Sequence, residues 1–166
     1  MINFLFGGKI LLTHLDQHSR SNMVDVSGKA VTSRIAVATG RVVFPLEVYA
    51  EIQAINEQTA KGTISEVARL AGIMAAKNTA GLIPLCHPVM LECCKLELTY
   101  DDAAHSLNIH AEVAVSHKTG VEMEALTAVS VAALTVYDMT KALSHDIQIQ
   151  DIRLIHKSGG KHEFNR

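Results

Sequence analysis

The chain has 166 residues, 48% of them hydrophobic and 19% charged, which suits one globular domain with a good core and excludes a disordered one. A formal net charge of -2 argues against a protein that coats nucleic acid, and 4% aromatics with no Trp leave little stacking platform for single strands. Three cysteines, two of them adjacent (Cys93 and Cys94), fit a reducing cytoplasm better than a disulfide framework.

Residues 1–12 are apolar but lack the basic start and small-residue cleavage site of an export signal, so they read as an extension. Residues 13–30 are polar and turn-rich and read as a mobile arm holding Met23-Val24-Asp25-Val26. The division expected is therefore 1–22 as extension and arm, and 23–166 as a single domain. Residues 31–43 alternate loosely, with Ile35, Val37 and Val43 apolar, which predicts a strand. Pro45 can begin a helix, and Val48, Tyr49, Ile52 and Ile55 recur at helical spacing to about Gln58. Lys61-Gly62 makes a short connection. Thr63 and Glu66 form an S/T-x-x-E pair that opens a second helix, with Val67, Leu70, Ala71, Met74 and Ala75 inward. That helix ends near Gly81 and carries Lys77 in its last turns, where positive charge suits the dipole.

Ile83-Pro84-Leu85-Cys86-His87-Pro88 is a stiff loop, since two prolines bracket a Cys-His pair. Residues 91–100 alternate, with Cys94, Leu96, Leu98 and Tyr100 on one face. After a hairpin at 101–105, residues 106–116 alternate with Leu107, Ile109, Ala111, Val113 and Val115 inward. Thr119 and Glu122 form another S/T-x-x-E pair, and an Ala-, Val- and Leu-rich run to about Leu143 predicts a long helix buried on nearly every face. A last strand spans about 147–155. The order gives an α+β fold, an antiparallel sheet covered on one face by helices, of ferredoxin-like character.

The few ionisable residues of the long helix carry the candidate chemistry. Glu122 and Glu124 lie in its first turn and point roughly opposite ways, whereas Asp138 and Lys141 near its end share a face. Glu124 and Asp138 fall on a similar side but about 21 Å apart at 1.5 Å per residue. One small reacting centre cannot span that distance within a chain, so either the helix carries two sites or a second copy lies antiparallel. The second is favoured, because a helix apolar all round in so short a chain would bury one face against a partner. The plain alternative is a helical ion pair plus two dipole-complementing glutamates. His87 is the best general acid or base by type. A zinc site on Cys86, His87, Cys93 and Cys94 is disfavoured, because adjacent strand residues point to opposite faces. A Cys86–His87 nucleophile pair is disfavoured too, because no third group orients it. Lys61-Gly62 and Lys157-Ser158-Gly159-Gly160-Lys161 offer glycine backbone and positive charge to an anion such as a polyphosphate.

Leu82-Ile83-Pro84-Leu85-Cys86-His87-Pro88, Lys118-Thr119-Gly120-Val121-Glu122-Met123-Glu124-Ala125-Leu126-Thr127, Tyr137-Asp138-Met139-Thr140-Lys141-Ala142 and Lys157-Ser158-Gly159-Gly160-Lys161 together resemble the MoaC-type cyclic pyranopterin monophosphate synthases of molybdenum cofactor biosynthesis. The resemblance runs from about Met23 to Lys161. It implies conversion of 3′,8-cyclo-7,8-dihydroguanosine 5′-triphosphate, supplied by a radical enzyme acting on GTP, to cyclic pyranopterin monophosphate and pyrophosphate. It implies a homohexamer built as three dimers, with active sites between subunits. By position, Asp138 and Lys141 would be catalytic. Leu85, Cys86, His87, Met123 and Glu124 would bind substrate, with Glu122, Lys61, Lys77 and Lys157 as further site residues. No metal or redox cofactor is required, though Mg²⁺ can accompany the triphosphate. The competing class is a nucleotide carrier without turnover, which a pyrophosphate-release assay separates from the enzyme.

Overall fold

Period-two alternation decides the sheet's buried face, and the small residues of one helix decide how closely that face is covered. The computed structural model describes residues 20–166; the sequence reading of residues 1–19 lies outside the described residues. The central strand is β1, Thr32–Val43. It pairs antiparallel with β5 (Ser106–His117) on one side and β6 (Gln148–Ser158) on the other. β4 (Cys93–Asp101) borders β5, and the short β7 (Phe164–Asn165) borders β6, giving the order β4-β5-β1-β6-β7. The helices are α1 (Leu46–Ala54), α2 (Ile64–Lys77), the one-turn α3 (Thr79–Leu82) and α4 (Glu122–Thr140). A small hairpin, β2 (Gln58–Thr59) and β3 (Gly62–Thr63), joins α1 to α2. This is the expected α+β architecture of ferredoxin-like order: β1, helices, a β4–β5 hairpin, α4, then β6.

The core lies between sheet and helices. Ala36, Ala38 and Val42 of β1 and Ile109, Ala111 and Val113 of β5 cluster with Ala125, Ala128, Val129, Ala132, Ala133 and Val136 of α4, all fully buried. Each fully buried Val or Ile contributes roughly 1.5–3 kcal/mol of transfer free energy. The alanine-rich face lets α4 sit close to its neighbours. A Cβ on Gly40 would come 2.7 Å from Val129 Cγ1, and one on Gly72 of α2 would come 2.8 Å from the Ala128 carbonyl. α4 is thus held between β1 and α2.

Several local readings differ from expectation; α2, for one, ends at Lys77 and not near Gly81, which lies inside α3. α1 ends at Ala54 and not near Gln58, because Asn56 and Glu57 take left-handed backbone (φ 47° and 52°) and turn the chain into the β2–β3 hairpin. Neither S/T-x-x-E pair forms a capping box: the Thr63 hydroxyl accepts from Gln58 Nε2, and Glu122 pairs with Lys157 instead. α2 is rotated from the predicted phase, so Leu70 and Met74 are 60% and 55% exposed, while Ile64, Ala68, Gly72, Ala75 and Ala76 face in. The smaller residues win that face because α4 approaches too closely for a Leu or Met. Finally, α4 is buried on most of its surface but not all; Met123 and Leu134 remain exposed along one stripe that ends at Asp138.

Candidate active site

The N-terminal end of α4 meets the Pro-bracketed loop and the end of β6 in a cleft of about 520 Å³. Leu85, Cys86, His87, Glu122, Met123, Glu124 and Lys157 all line it. The loop is stiff by sequence, and His87 fixes it further: its Nε2 lies 2.8 Å from the Val24 carbonyl oxygen. A carbonyl only accepts, so Nε2 carries the hydrogen, and in the neutral ring Nδ1 is left for a ligand. Residues 20–30 of the predicted arm, and the first residue of β1 after them, are tied down elsewhere as well. Lys118 Nζ donates to the Ser27 carbonyl at 2.6 Å, and the Thr32 hydroxyl donates to the Gly159 carbonyl at 2.8 Å.

The two glutamates of the first helical turn have different fates. Glu122 accepts from Lys157 Nζ at 2.9 Å, on the rim. Gly120 allows this, because a Cβ there would overlap the Glu122 carboxylate. Glu124 is only 4% exposed, and burial pushes its carboxyl above the ordinary 4.5, partly offset by bonding to its own backbone and reinforced by the Glu122 charge. Cys86 is raised as well, first by burial and then by the Glu124 charge, so its thiol is held in the unreactive protonated form. The end of the cleft runs into a second recess, about 220 Å³, lined by Lys29, Arg34, Lys118, Lys157 and Lys161 with Ser158, Gly120 and Gly160. Anionic groups fit such a recess, since cations outnumber the single carboxylate of Glu122 there.

The other polar cluster lies at the far end of α4. Asp138 accepts from Lys141 Nζ on Oδ1 at 2.7 Å and from Lys61 Nζ on Oδ2 at 2.9 Å. Lys141 is the C-cap residue of the same helix, and Lys61 comes from the β2–β3 turn. The two lysines, Lys141 first, lower the Asp138 carboxyl from 3.8 to about 2, and the same contact raises Lys141. All three side chains are more than half exposed, so the group faces outward from the chain that carries it. Two cations share one anion, leaving one net positive charge for a phosphate.

A family model described as the MoaC family matches residues 23–160. Three relatives named cyclic pyranopterin monophosphate synthase are similar over nearly their whole length. That of Xanthomonas oryzae pv. oryzae is 52% identical over 153 residues, covering 92% of each chain. That of Chloroflexus aurantiacus is 55% identical over 150 residues, covering 90% of this chain and 91% of the relative. That of a Nostoc species is 55% identical over 150 residues, covering 90% and 88%. The chain belongs to the MoaC family.

Of the residues singled out in this MoaC-family chain, seven meet in one cleft and three meet in the distal cluster. Fourteen residues of α4 separate Glu124 from Asp138, about 21 Å along the axis. Lys77 joins neither group; it is exposed at the end of α2, beside a third recess with Ile73, Met90, Leu91, Cys93 and Cys94. Arg34, Lys29 and Lys118 were not singled out, although all three line the basic recess. Lys118 opens one of the quoted motifs, but Arg34 looks like an ordinary strand residue until β6 returns beside it. Among the described residues no three of His, Cys, Asp and Glu are grouped to hold a metal ion, and no helix is long and apolar enough to cross a membrane. Cys86, Cys93 and Cys94 are unpaired thiols.

Proposed function

We propose that this MoaC-family chain is a cyclic pyranopterin monophosphate synthase. It converts 3′,8-cyclo-7,8-dihydroguanosine 5′-triphosphate to cyclic pyranopterin monophosphate and pyrophosphate in molybdenum cofactor biosynthesis, after a radical enzyme has acted on GTP. The observation that carries this reading is the pair of complementary polar clusters at opposite ends of α4, in a chain whose relatives bear that name.

In the assembled enzyme an antiparallel partner would bring its Lys61, Asp138 and Lys141 to the cleft of Leu85, Cys86, His87, Glu122, Met123, Glu124 and Lys157. Three such dimers make the homohexamer. A partner laid along the exposed stripe of α4 would bury Met123 and Leu134 and meet Asp138, where that stripe ends. Lys77 would reach the site only within the assembly.

The roles follow from the local electrostatics. His87 Nδ1 and the buried Glu124 are the cleft groups suited to moving protons on and off the substrate's ring nitrogens and carbons. Glu124, raised by burial, takes up and holds a proton more readily than an exposed carboxyl, which suits it to proton transfer. Asp138 is a weak base while both lysines hold it. An incoming triphosphate competes for those lysines, which raises the Asp138 carboxyl back towards proton-accepting strength. To close the cyclic phosphate, a substrate hydroxyl attacks the α-phosphorus as the bond to the bridging oxygen breaks. The proton passes to a carboxylate, and pyrophosphate leaves with the electron pair, balanced by Lys61, Lys141 and Lys157. The protein supplies no resident metal in this reading, and any Mg²⁺ arrives with the triphosphate as part of the substrate. The reaction belongs in a reducing cytoplasm, where three free thiols persist.

Purified chain incubated with the cyclised nucleotide is expected to release one pyrophosphate per product. Protein that binds the nucleotide and releases none would leave only the carrier.

A further inference from the structure

The hairpin that presents Lys61 is held by one carboxylate outside the site. Glu57 follows Asn56 in the turn after α1, and both take left-handed backbone. Non-glycine residues keep that conformation only where their surroundings fix it. Here three donors fix the Glu57 side chain: the Ser65 amide at 3.1 Å, the Ser65 hydroxyl at 2.6 Å and the Tyr100 hydroxyl at 2.9 Å. Its backbone is used too, the amide donating to the Ile52 carbonyl at 2.9 Å and the carbonyl accepting from Ile64 at 3.1 Å. One residue thereby ties the end of α1, the start of α2 and strand β4 together. Tyr100 is kept protonated as a donor, chiefly by burial and then by the Glu57 charge. Between the Glu57 and Ile64 ends of these ties lie only residues 58–63, the β2–β3 hairpin, with Lys61 in its turn.

We propose that Glu57 is a positioning residue: its carboxylate clamps both feet of the β2–β3 hairpin and so delivers Lys61 to Asp138. Glu57 touches no reacting atom and acts through Lys61. Its effect on turnover rests on the reading of Lys61, Asp138 and Lys141 as part of the active site; its effect on Lys61 itself does not.

Amine acylation of Lys61 in the full-length assembled protein, followed by mass spectrometry, separates the two. Asp138→Asn sets the scale by removing the partner of Lys61. Glu57→Ala, with circular dichroism confirming the fold, is expected to raise the Lys61 labelling rate about threefold and to lower kcat/KM roughly tenfold. In a Lys61→Ala background the same Glu57→Ala change is expected to cost nothing more. An unchanged labelling rate, or a full second loss in that background, overturns the proposal. Should Glu57→Ala not fold, Tyr100→Phe removes a single donor and is expected to raise Lys61 labelling about twofold, and no rise overturns the proposal equally. If labelling rises while Lys61→Ala leaves turnover untouched, the clamp stands and the active-site reading of the cluster falls.

Discussion

At the scale of single residues, two carboxylates on one helix are pushed in opposite directions, and each direction makes a prediction. Glu124 is raised by burial, so the folded chain holds its proton more tightly than the unfolded chain does. The Glu124 contribution to stability therefore grows as pH falls towards 4.5, the ordinary value, and is lost as pH rises through the raised one. Glu124→Gln removes that dependence and is expected to raise the neutral-pH Tm by roughly 2–4 °C while lowering kcat, a loss of function accompanied by a gain in stability. Thermal melts from pH 5 to 8 on both proteins check it. Asp138 is the opposite case: its contribution is present above 3.8 and lost as pH falls through about 2. The cluster is exposed, so that contribution is small, and Asp138→Asn is expected to melt like wild type at neutral pH. Its turnover is expected to drop about 10²–10⁴-fold with nucleotide binding retained, as a proton-transfer role requires. Wild-type rates in that variant remove the assignment. Cys86 is a wall and not a nucleophile, because burial keeps its thiol protonated. Cys86→Ala should raise KM and leave kcat within about threefold of wild type, as measured by steady-state kinetics.

At the scale of elements, function depends on how closely α4 is seated. Gly72 is the contact that sets the α2–α4 separation, since its missing side chain is replaced by Leu96, Ala128 and Ala132 of the neighbours. Gly72→Ala forces those atoms apart and is expected to destabilise the chain by about 1–3 kcal/mol, read from denaturant unfolding. The helical propensity gained by the alanine is smaller than that cost. Gly120 acts locally. It gives the Glu122 carboxylate room to meet Lys157, so a side chain there disturbs the cleft without loosening the core.

At the scale of the whole molecule, one protomer holds two separate polar groups, the cleft at the start of α4 and the exposed Asp138 cluster at its end. A two-fold dimer is self-complementary, so each completed site would combine the cleft of one copy with the Asp138 cluster of the other. Mixing Glu124→Gln chains with Asp138→Asn chains then yields heterodimers with one intact and one doubly altered site. Random re-assembly is expected to restore about a quarter of wild-type turnover from two poorly active parents. Recovery no greater than the sum of the parents would place each site within a single chain.

Much of this was legible in the chain itself. Strict alternation in residues 106–116 fixed β5 and its buried face, because a period of two admits one inward set. The prolines around Cys86 and His87 declared a rigid loop, and the i, i+3 spacing of Asp138 and Lys141 declared their contact. The Glu124-to-Asp138 distance followed from helix rise alone. Contacts between remote segments were not legible. The pairing of Lys61 with Asp138, the loss of both capping boxes, the exposure of Leu70 and Met74, and the clamp at Glu57 each depend on which element packs nearby and how closely. Local spacing fixes the geometry of one helix or strand. Only the three-dimensional packing chooses among the partners that each side chain can reach, because that choice is made by non-local sterics and charge.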